Sequence, residues 1–233
     1  MKMFLDKALI FLVLFSFPIH ATELIATKPH INASSLNDMR IETVLDFWFD
    51  YVHHPAPLFE RKLWWEKNPK FDDAIRQQFS TLRDDAIVGK LNSWLQTPKG
   101  TLAYIILIDQ FSRNLFRNTP QMYEHDALAL QAASHAIKQG FDQQLSLIER
   151  VFLYLPFEHA ENLQSQQQSL KLFEQLAEEA PLDVKSLANK HLKYAKDHYD
   201  VIKRFNRFPH RNVILERTST EEEKQFLETH KGW

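Results

Sequence analysis

The stretch TPKGTLAYIILIDQFSRN, residues 97–114, decides the fold of this 233-residue chain. It opens with threonine and proline, which are favoured just before a helix and at its first position. Its centre, residues 102–108, is apolar on every side. A surface helix has only one apolar face, so we expect this helix to lie inside the protein.

The segments around it begin and end in the same way. Residues 68–89 open with Asn-Pro, repeat apolar side chains at helical spacing and stop at Gly89. Residues 119–140 open with Thr-Pro and also stop at glycine. We therefore expect a helix from Pro120 to Gly140.

The second half of the chain continues the helical pattern. Ser146 and Glu149 form a capping-box pattern, and the helix that follows contains Pro156. Further helices are expected at roughly 164–179, 184–206 and 219–230. No segment shows the sustained alternation of a β-strand. Short connectors between successive helices predict an all-α fold built from antiparallel αα-hairpins.

Composition excludes several classes of protein. Four glycines disfavour a turn-rich β fold and a glycine-rich phosphate loop. A net charge of −2 gives no overall field that would recruit nucleic acid. The chain has no cysteine, so it has no disulfide, no thiolate metal ligand and no cysteine nucleophile.

The N-terminus predicts export. Lysines flank the first residues, the apolar run 8–17 is short, and a small residue, Ala21, follows Pro18. We expect a signal peptide over 1–21, a polar linker over 22–37 and a single helical domain over 38–233, in the periplasm or otherwise exported. The alternatives are a buried first helix and an uncleaved anchor in the inner membrane. After cleavage, no stable membrane insertion is expected.

Three polar segments are candidates for chemistry, and the first is DQFSRN, residues 109–114. Asp109 and Arg113 are four residues apart and share a helix face, with Gln110 and Asn114 beside them. A charge that emerges from a buried helix must be paired or bound to a ligand. An internal ion pair that orders the helix end explains the pattern equally well.

The second candidate is PFEHAENL, residues 156–163. Glu158 and Glu161 share a face, and His159 lies between them in sequence. Such groups act as acids and bases. The spacing is not that of a zinc-binding HExxH motif, so no metal or cofactor is expected. The alternative is a capped, solvated helix end.

The third candidate is RFNRFPHRN, residues 204–212. Arg207, His210, Arg211 and Asn212 cluster where a proline stops a helix, and guanidinium groups on a fixed turn suit a carboxylate or phosphate. We expect Arg207, Arg211 or both to reach Glu158 and Glu161. Nucleic acid is disfavoured by the net charge. Two further histidines, at 191 and 198, are read as packing or surface residues.

These segments together resemble a bacterial family known as domain of unknown function 924. The resemblance rests on the strings FWF, WW, LIDQFSRNLFR, DALAL, ERVFLYLPFEHAENL and RFPHRN and on the ending TSTEEE, and it covers about four-fifths of the chain. It implies a tetratricopeptide-like right-handed superhelix but no established reaction. It also implies glycine at the positions of Asn206 and Glu216 and a small hydroxyl residue at that of Ala160.

Two functions remain open. As a binding module, the protein would hold a small anion or a peptide carboxylate through Arg113, Asn114, Arg207, Arg211 and Asn212, with Gln110 and His210 beside them. As a hydrolase-like enzyme, it would use Glu158, His159 or Glu161 as acid and base. An enzyme would gather Asp109, Glu158 and the arginines in a closed pocket with a shifted pKa, whereas a peptide needs an open groove. The oligomeric state is left open.

Overall fold

The computed structural model describes residues 33–53, 60–230 and 232. The predicted signal peptide 1–21 lies outside them. The described part is helical and contains no strand, which confirms the all-α class. Its α-helices are α1 (Ala33–Phe49), α2 (Lys62–Trp65), α3 (Pro69–Ile87), α4 (Pro98–Ile105), α5 (Phe111–Leu115), α6 (Asp126–Gln139), α7 (Leu147–His159), α8 (Leu163–Glu179), α9 (Lys185–Phe205) and α10 (Glu221–Thr229).

The helix starts follow the capping residues in the sequence. The Asn68 side chain accepts a hydrogen bond from the Phe71 amide at 3.1 Å, and Thr97 accepts one from the Gly100 amide at 3.1 Å. Ser146 and Glu149 form the expected reciprocal capping box at α7. These bonds satisfy amides that have no partner within the helix. The predicted starts of α3, α4 and α7 are therefore confirmed.

The apolar run lies at the centre of the core, as predicted. α4 continues through a π-helical segment, Ile106–Gln110, directly into α5. Every residue from Leu102 to Ile108 is buried. Trp48 of α1 packs nearby against the rings of Phe111 and Phe152, with ring centroids 5.7 and 5.4 Å apart. The central helix is thus enclosed by aromatic side chains from α1 and α7.

Consecutive helices in the second half pack on each other. α6 contacts α7, α7 contacts α8, and α8 contacts α9. The connector between α8 and α9 spans only residues 180–184. This pairing agrees with the expected αα-hairpins, and the superhelical arrangement stays a prediction. Among the described helices, none is both long and apolar enough to cross a membrane.

Two predicted boundaries differ from the structure. α1 begins at Ala33, so the last residues of the expected linker 22–37 are helical. The serines and asparagine there are as compatible with a first helical turn as with a linker. α6 begins at Asp126 rather than Pro120, because residues Pro120–Met122 form a 3₁₀ turn. Thr119 donates its hydroxyl to the Phe116 carbonyl at 2.9 Å and does not cap a helix.

Candidate functional site

The π-helical segment places Asp109 in the interior. Asp109 has no exposed surface. One of its carboxylate oxygens lies 2.8 Å from His159 Nδ1 and 2.9 Å from a guanidinium nitrogen of Arg113. The Gln110 amide donates to the other oxygen. Segments of π-helix occur often at functional sites, and the predicted buried pair of Asp109 and Arg113 is confirmed.

Arg113 connects this carboxylate to a second one. Its guanidinium donates to both carboxylate oxygens of Asp126, at 3.1 and 3.2 Å, and to the Met122 carbonyl at 3.1 Å. Asp126 lies in turn 3.6 Å from a guanidinium nitrogen of Arg211. We call the row Asp109, Arg113, Asp126 and Arg211 the charge chain. It joins DQFSRN to RFPHRN.

The charge chain fixes the protonation of its neighbour His159. Burial alone raises the pKa of Asp109, but Arg113 and His159 lower it well below its usual range, so the group is a carboxylate. Burial and then Arg113 lower the pKa of His159, so the imidazole is neutral. A carboxylate only accepts hydrogen bonds, so the single imidazole proton lies on Nδ1. Nε2 of His159 therefore carries no proton, and its lone pair can accept one.

His159 and Arg211 both face one cavity. Its volume is about 650 Å³, within the range of small-molecule sites. The side chain of His159 keeps 15% exposure, and none of the described residues forms a hydrogen bond with its Nε2. Other polar residues that line the cavity are Gln121, Tyr123, Glu124, Asp126, Glu161 and Asn162. His159 contacts Asp109, the first member of the charge chain, and Arg211 is the last member. His159 and Arg211 thus line the same cavity.

Glu161 also lines this cavity, but its partners differ from the predicted ones. Its carboxylate accepts from Arg217 at 2.5 and 2.9 Å and from the Phe208 amide at 2.7 Å. The segment RFNRFPHRN does fold back on PFEHAENL. However, the contact is made by a backbone amide of that segment and by Arg217, which lies beyond it.

The predicted pairing of Arg207 or Arg211 with Glu158 or Glu161 is therefore wrong. Arg207 bonds Glu223 at 2.6 and 2.8 Å and the Thr218 carbonyl at 2.9 Å. α10 brings Glu223 to this place through its own capping box with Thr220. A carboxylate that is already fixed at a helix start takes up the arginine with little loss of side-chain freedom.

Glu158 lies behind the cavity, buried next to His198. Glu158 Oε1 is 3.4 Å from Nδ1 of His198, which also lies 2.8 Å from the Tyr194 carbonyl. Burial, then Asp109 and Asp197, raise the pKa of Glu158 to about 8. Burial lowers the pKa of His198 well below its usual range. The two groups are therefore neutral at pH 7 and do not form an ion pair.

The other predicted site residues do not line the cavity. Asn114 donates to Asp72 at 2.7 Å, and Asn212 donates to Ser219 at 3.0 Å. Burial and then Arg211 lower the pKa of His210 to about 4. Gln110 donates to Asp109, and neither residue lines the cavity. Among the described residues, no group of three or more histidine or acidic side chains has the arrangement of a metal site.

The chain matches a family model over residues 44–231, four-fifths of its length. The family is described as bacterial proteins of unknown function, DUF924. The chain belongs to this family. It is similar to a solved protein of unknown function from Agrobacterium tumefaciens, at 37% identity and a TM-score of 0.71, over 83% of this chain and 99% of that one. No curated protein matches the chain.

Asn206 and Glu216, where the resemblance implies glycine, both have left-handed backbone. Asn206 ends α9 with a φ of 58°, and Glu216 has a φ of 53°. Both lie in the left-handed region, where glycine has no steric cost and other residues do. Asparagine tolerates this conformation better than most residues, whereas glutamate does not. The glycines that the resemblance implies at these two positions thus agree with the left-handed backbone found there.

The residues at or next to this site that sequence reasoning did not propose include Tyr123, Asp126, His198 and Arg217. Asp126 lies in the first turn of α6 and looks like an ordinary residue complementing the helix dipole. His198 fits a packing histidine. Arg217 follows the predicted basic segment by five positions. The sequence signal that could have revealed such residues is the polar stretch 123–126, which lies near the start of the helix expected from Pro120 to Gly140.

Proposed function

We propose that this protein binds a small anion in the cavity, through the guanidinium of Arg211. The observation that supports the proposal is that the Arg211 side chain is buried with an unpaired hydrogen-bond donor. Arg211 is 6% exposed and lines the cavity, and its Nε has no hydrogen-bond partner among the described residues. Its nearest carboxylate, Asp126, is 3.6 Å away. Leaving a buried donor unpaired costs about 1–3 kcal/mol, which a bound oxyanion would recover.

The guanidinium is held in one orientation. Its central carbon lies 4.5 Å from the ring centroid of Tyr123 and 4.4 Å from that of Phe208. Aromatic faces stabilise a nearby cation and restrict its rotation. A fixed, planar guanidinium with free N–H groups suits the two oxygens of a carboxylate or phosphate better than a mobile lysine would. The geometry therefore supports recognition of a bidentate anion.

The acidic side chains that line the cavity do not cancel this effect. Asp126 is bonded to Arg113, and Glu161 is bonded to Arg217. Burial on its own raises the pKa of Glu161, but the bonds from Arg217 and Phe208 lower it overall. Arg113 is shared between Asp109 and Asp126, and Glu161 is paired with Arg217, whereas the Nε donor of Arg211 stays unused among the described residues.

A small molecule fits these observations better than a peptide. The polar groups meet in one concave cavity with Asp109 and Glu158 buried behind it, and the pKa of Glu158 is strongly raised. A peptide carboxylate would need an extended groove with recognition elements along its length. The cluster of Arg113, Arg211, His159 and Asp126 is compact, so a ligand the size of a metabolite is favoured.

Calorimetry and thermal shift with acetate, glutarate and phosphate at constant ionic strength test this proposal. Native-state binding raises the melting temperature with ligand concentration. We expect at least one of these anions to bind and Arg211→Gln to abolish the binding. Arg211→Lys should weaken it about tenfold, because lysine keeps the positive charge but lacks the two parallel N–H donors of the guanidinium group. Arg204→Gln, which changes an exposed arginine paired with Glu222, is the matched control. Equal affinity in wild type and Arg211→Gln would rule the proposal out.

We also propose that the protein is exported, on the support of the basic, short apolar and small-residue pattern of residues 1–21. Mass spectrometry of the protein from its own host tests this, with Thr22 expected as the first residue. A chain that retains Met1 and fractionates with membranes would support the anchored alternative instead.

A further inference from the structure

The cavity contains a base as well as an anion-binding group. His159 donates its Nδ1 proton to Asp109, and its Nε2 faces the cavity without a partner among the described residues. A histidine held in this way by a buried carboxylate presents a lone pair of fixed direction. A solvated surface histidine does not, because both its tautomers and its rotamers interchange.

The carboxylate behind His159 is itself held in place. Asp109 has no exposed surface; it lies 2.9 Å from a guanidinium nitrogen of Arg113 in an ion pair and accepts a hydrogen bond from the Gln110 amide. Arg113 is fixed in turn by Asp126. The direction of the imidazole is therefore set by a rigid network rather than by one contact. Such preorganisation is what a catalytic base requires.

We infer that Asp109 and His159 form a general-base pair that hydrolyses acyl compounds bearing a carboxylate bound by Arg211. The inference rests on the proposed anion binding. His159 is the catalytic residue, and Asp109 is a positioning residue. The side chains that line the cavity include no serine, threonine or lysine among the described residues, and the chain has no cysteine. The inferred nucleophile is water, which reaches Nε2 through the exposed part of the imidazole.

The step balances with these groups alone. Nε2 of His159 takes a proton from water as the water oxygen bonds to the acyl carbon. The tetrahedral intermediate then collapses, and the bond between the acyl carbon and the leaving oxygen breaks. The imidazolium returns its proton to the leaving group, and a carboxylic acid is released. Asp109 stays ionised throughout and stabilises the imidazolium.

Two esters with one leaving group test this. Mono-p-nitrophenyl adipate carries a carboxylate, whereas p-nitrophenyl hexanoate has a neutral acyl chain of the same length. We expect kcat/KM for the adipate ester to exceed that for the hexanoate ester by at least about tenfold. Arg211→Gln should abolish this preference, and His159→Gln should lower kcat for the adipate ester roughly 100-fold or more.

The chain offers a matched control for His159. His53 Nδ1 lies 2.6 Å from Asp50, which gives a second His–Asp contact, but the His53 side chain is 73% exposed and lies outside the cavity. His53→Gln should leave the rate unchanged. Asp109→Asn should shift the ¹⁵N signature of His159 to the tautomer with its proton on Nε2 and lower kcat without raising KM. A fall in kcat with an unchanged ¹⁵N signature would show that Asp109 acts only through stability.

Labelling of wild-type protein covers the case in which a variant fails to fold. Diethyl pyrocarbonate should modify His159, turnover should fall in proportion, and adipate should protect both. If adipate binds but wild type and His159→Gln turn over the ester equally fast, His159 is not the general base. The proposed anion binding would then still hold. Modification of His159 without loss of turnover would also show that His159 is not the general base. If adipate, acetate, glutarate and phosphate all fail to bind, the proposed function fails, and this inference fails with it.

Discussion

Glu158 Oε1 lies 3.4 Å from Nδ1 of His198, and both side chains are buried. The distance is that of an ion pair, but burial opposes charge on both residues. Burial, Asp109 and Asp197 raise the pKa of Glu158 from 4.5 to about 8. The folded protein thus holds a proton on Glu158 at neutral pH, next in sequence to His159, which lines the cavity.

Glu158→Gln should stabilise the protein at high pH. The unfolded chain releases the Glu158 proton near pH 4.5, and the folded protein keeps it to about pH 8. Glu158 therefore makes stability fall as pH rises through this interval. Glutamine removes that loss, by up to about 5 kcal/mol above pH 8, given about 1.4 kcal/mol per pKa unit. Urea unfolding from pH 4 to 9 measures the difference, and Glu174→Gln, an exposed change, should show no such trend.

Arg113→Gln should be strongly destabilising. Arg113 lies between the carboxylates of Asp109 and Asp126, and its side chain is 13% exposed. Without it, two buried or half-buried negative charges face each other, and breaking a buried pair from one side costs about 3–5 kcal/mol. Arg204→Gln removes an exposed pair with Glu222 and should cost about 0–1 kcal/mol. Equal losses in urea unfolding would show that the charge chain is not structural.

The sequence predicted the elements better than it predicted the partners. Asn68, Thr97 and Ser146 mark helix starts through local hydrogen bonds, which depend only on neighbouring residues. The buried run 102–108 follows from periodicity alone. By contrast, Arg207 pairs with Glu223 because α10 folds back onto α9's end, and no count of local charges reveals that approach.

The candidate site was predictable to a similar extent. Asp109 and Arg113 are on one helix at a spacing that brings them together, so their pairing follows from the sequence. Asp126 joins them only because a 3₁₀ turn delays the start of α6. The neutral state of His159 depends on burial, which a linear pattern does not contain.

Glu161 and Arg217 should be energetically coupled. Two hydrogen bonds of 2.5 and 2.9 Å join them, and their side chains are 23% and 24% exposed. A double-mutant cycle of Glu161→Ala and Arg217→Ala should give a coupling of about 1–2 kcal/mol in urea unfolding. The same cycle with Arg207→Ala should give a value near zero, because Arg207 is bonded to Glu223 instead. A larger coupling to Arg207 than to Arg217 would contradict this arrangement.

Glu216→Gly should stabilise the protein. Glu216 has a φ of 53°, in the left-handed region, where a Cβ costs about 1–2 kcal/mol. Glycine removes that cost. It also raises the conformational entropy of the unfolded chain, which lowers the free energy of unfolding by about 0.5–1 kcal/mol. The net gain in the free energy of unfolding is therefore about 0.5–1 kcal/mol.

Asn206→Gly is the matched comparison. Asn206 has a φ of 58° at the end of α9, so the backbone requirement is the same. Asparagine already tolerates this conformation, and glycine should change stability by only a few tenths of a kcal/mol. Urea unfolding of both variants separates the two positions. If Glu216→Gly destabilises the protein while Asn206→Gly does not, the glutamate side chain makes a favourable contact that outweighs its backbone strain.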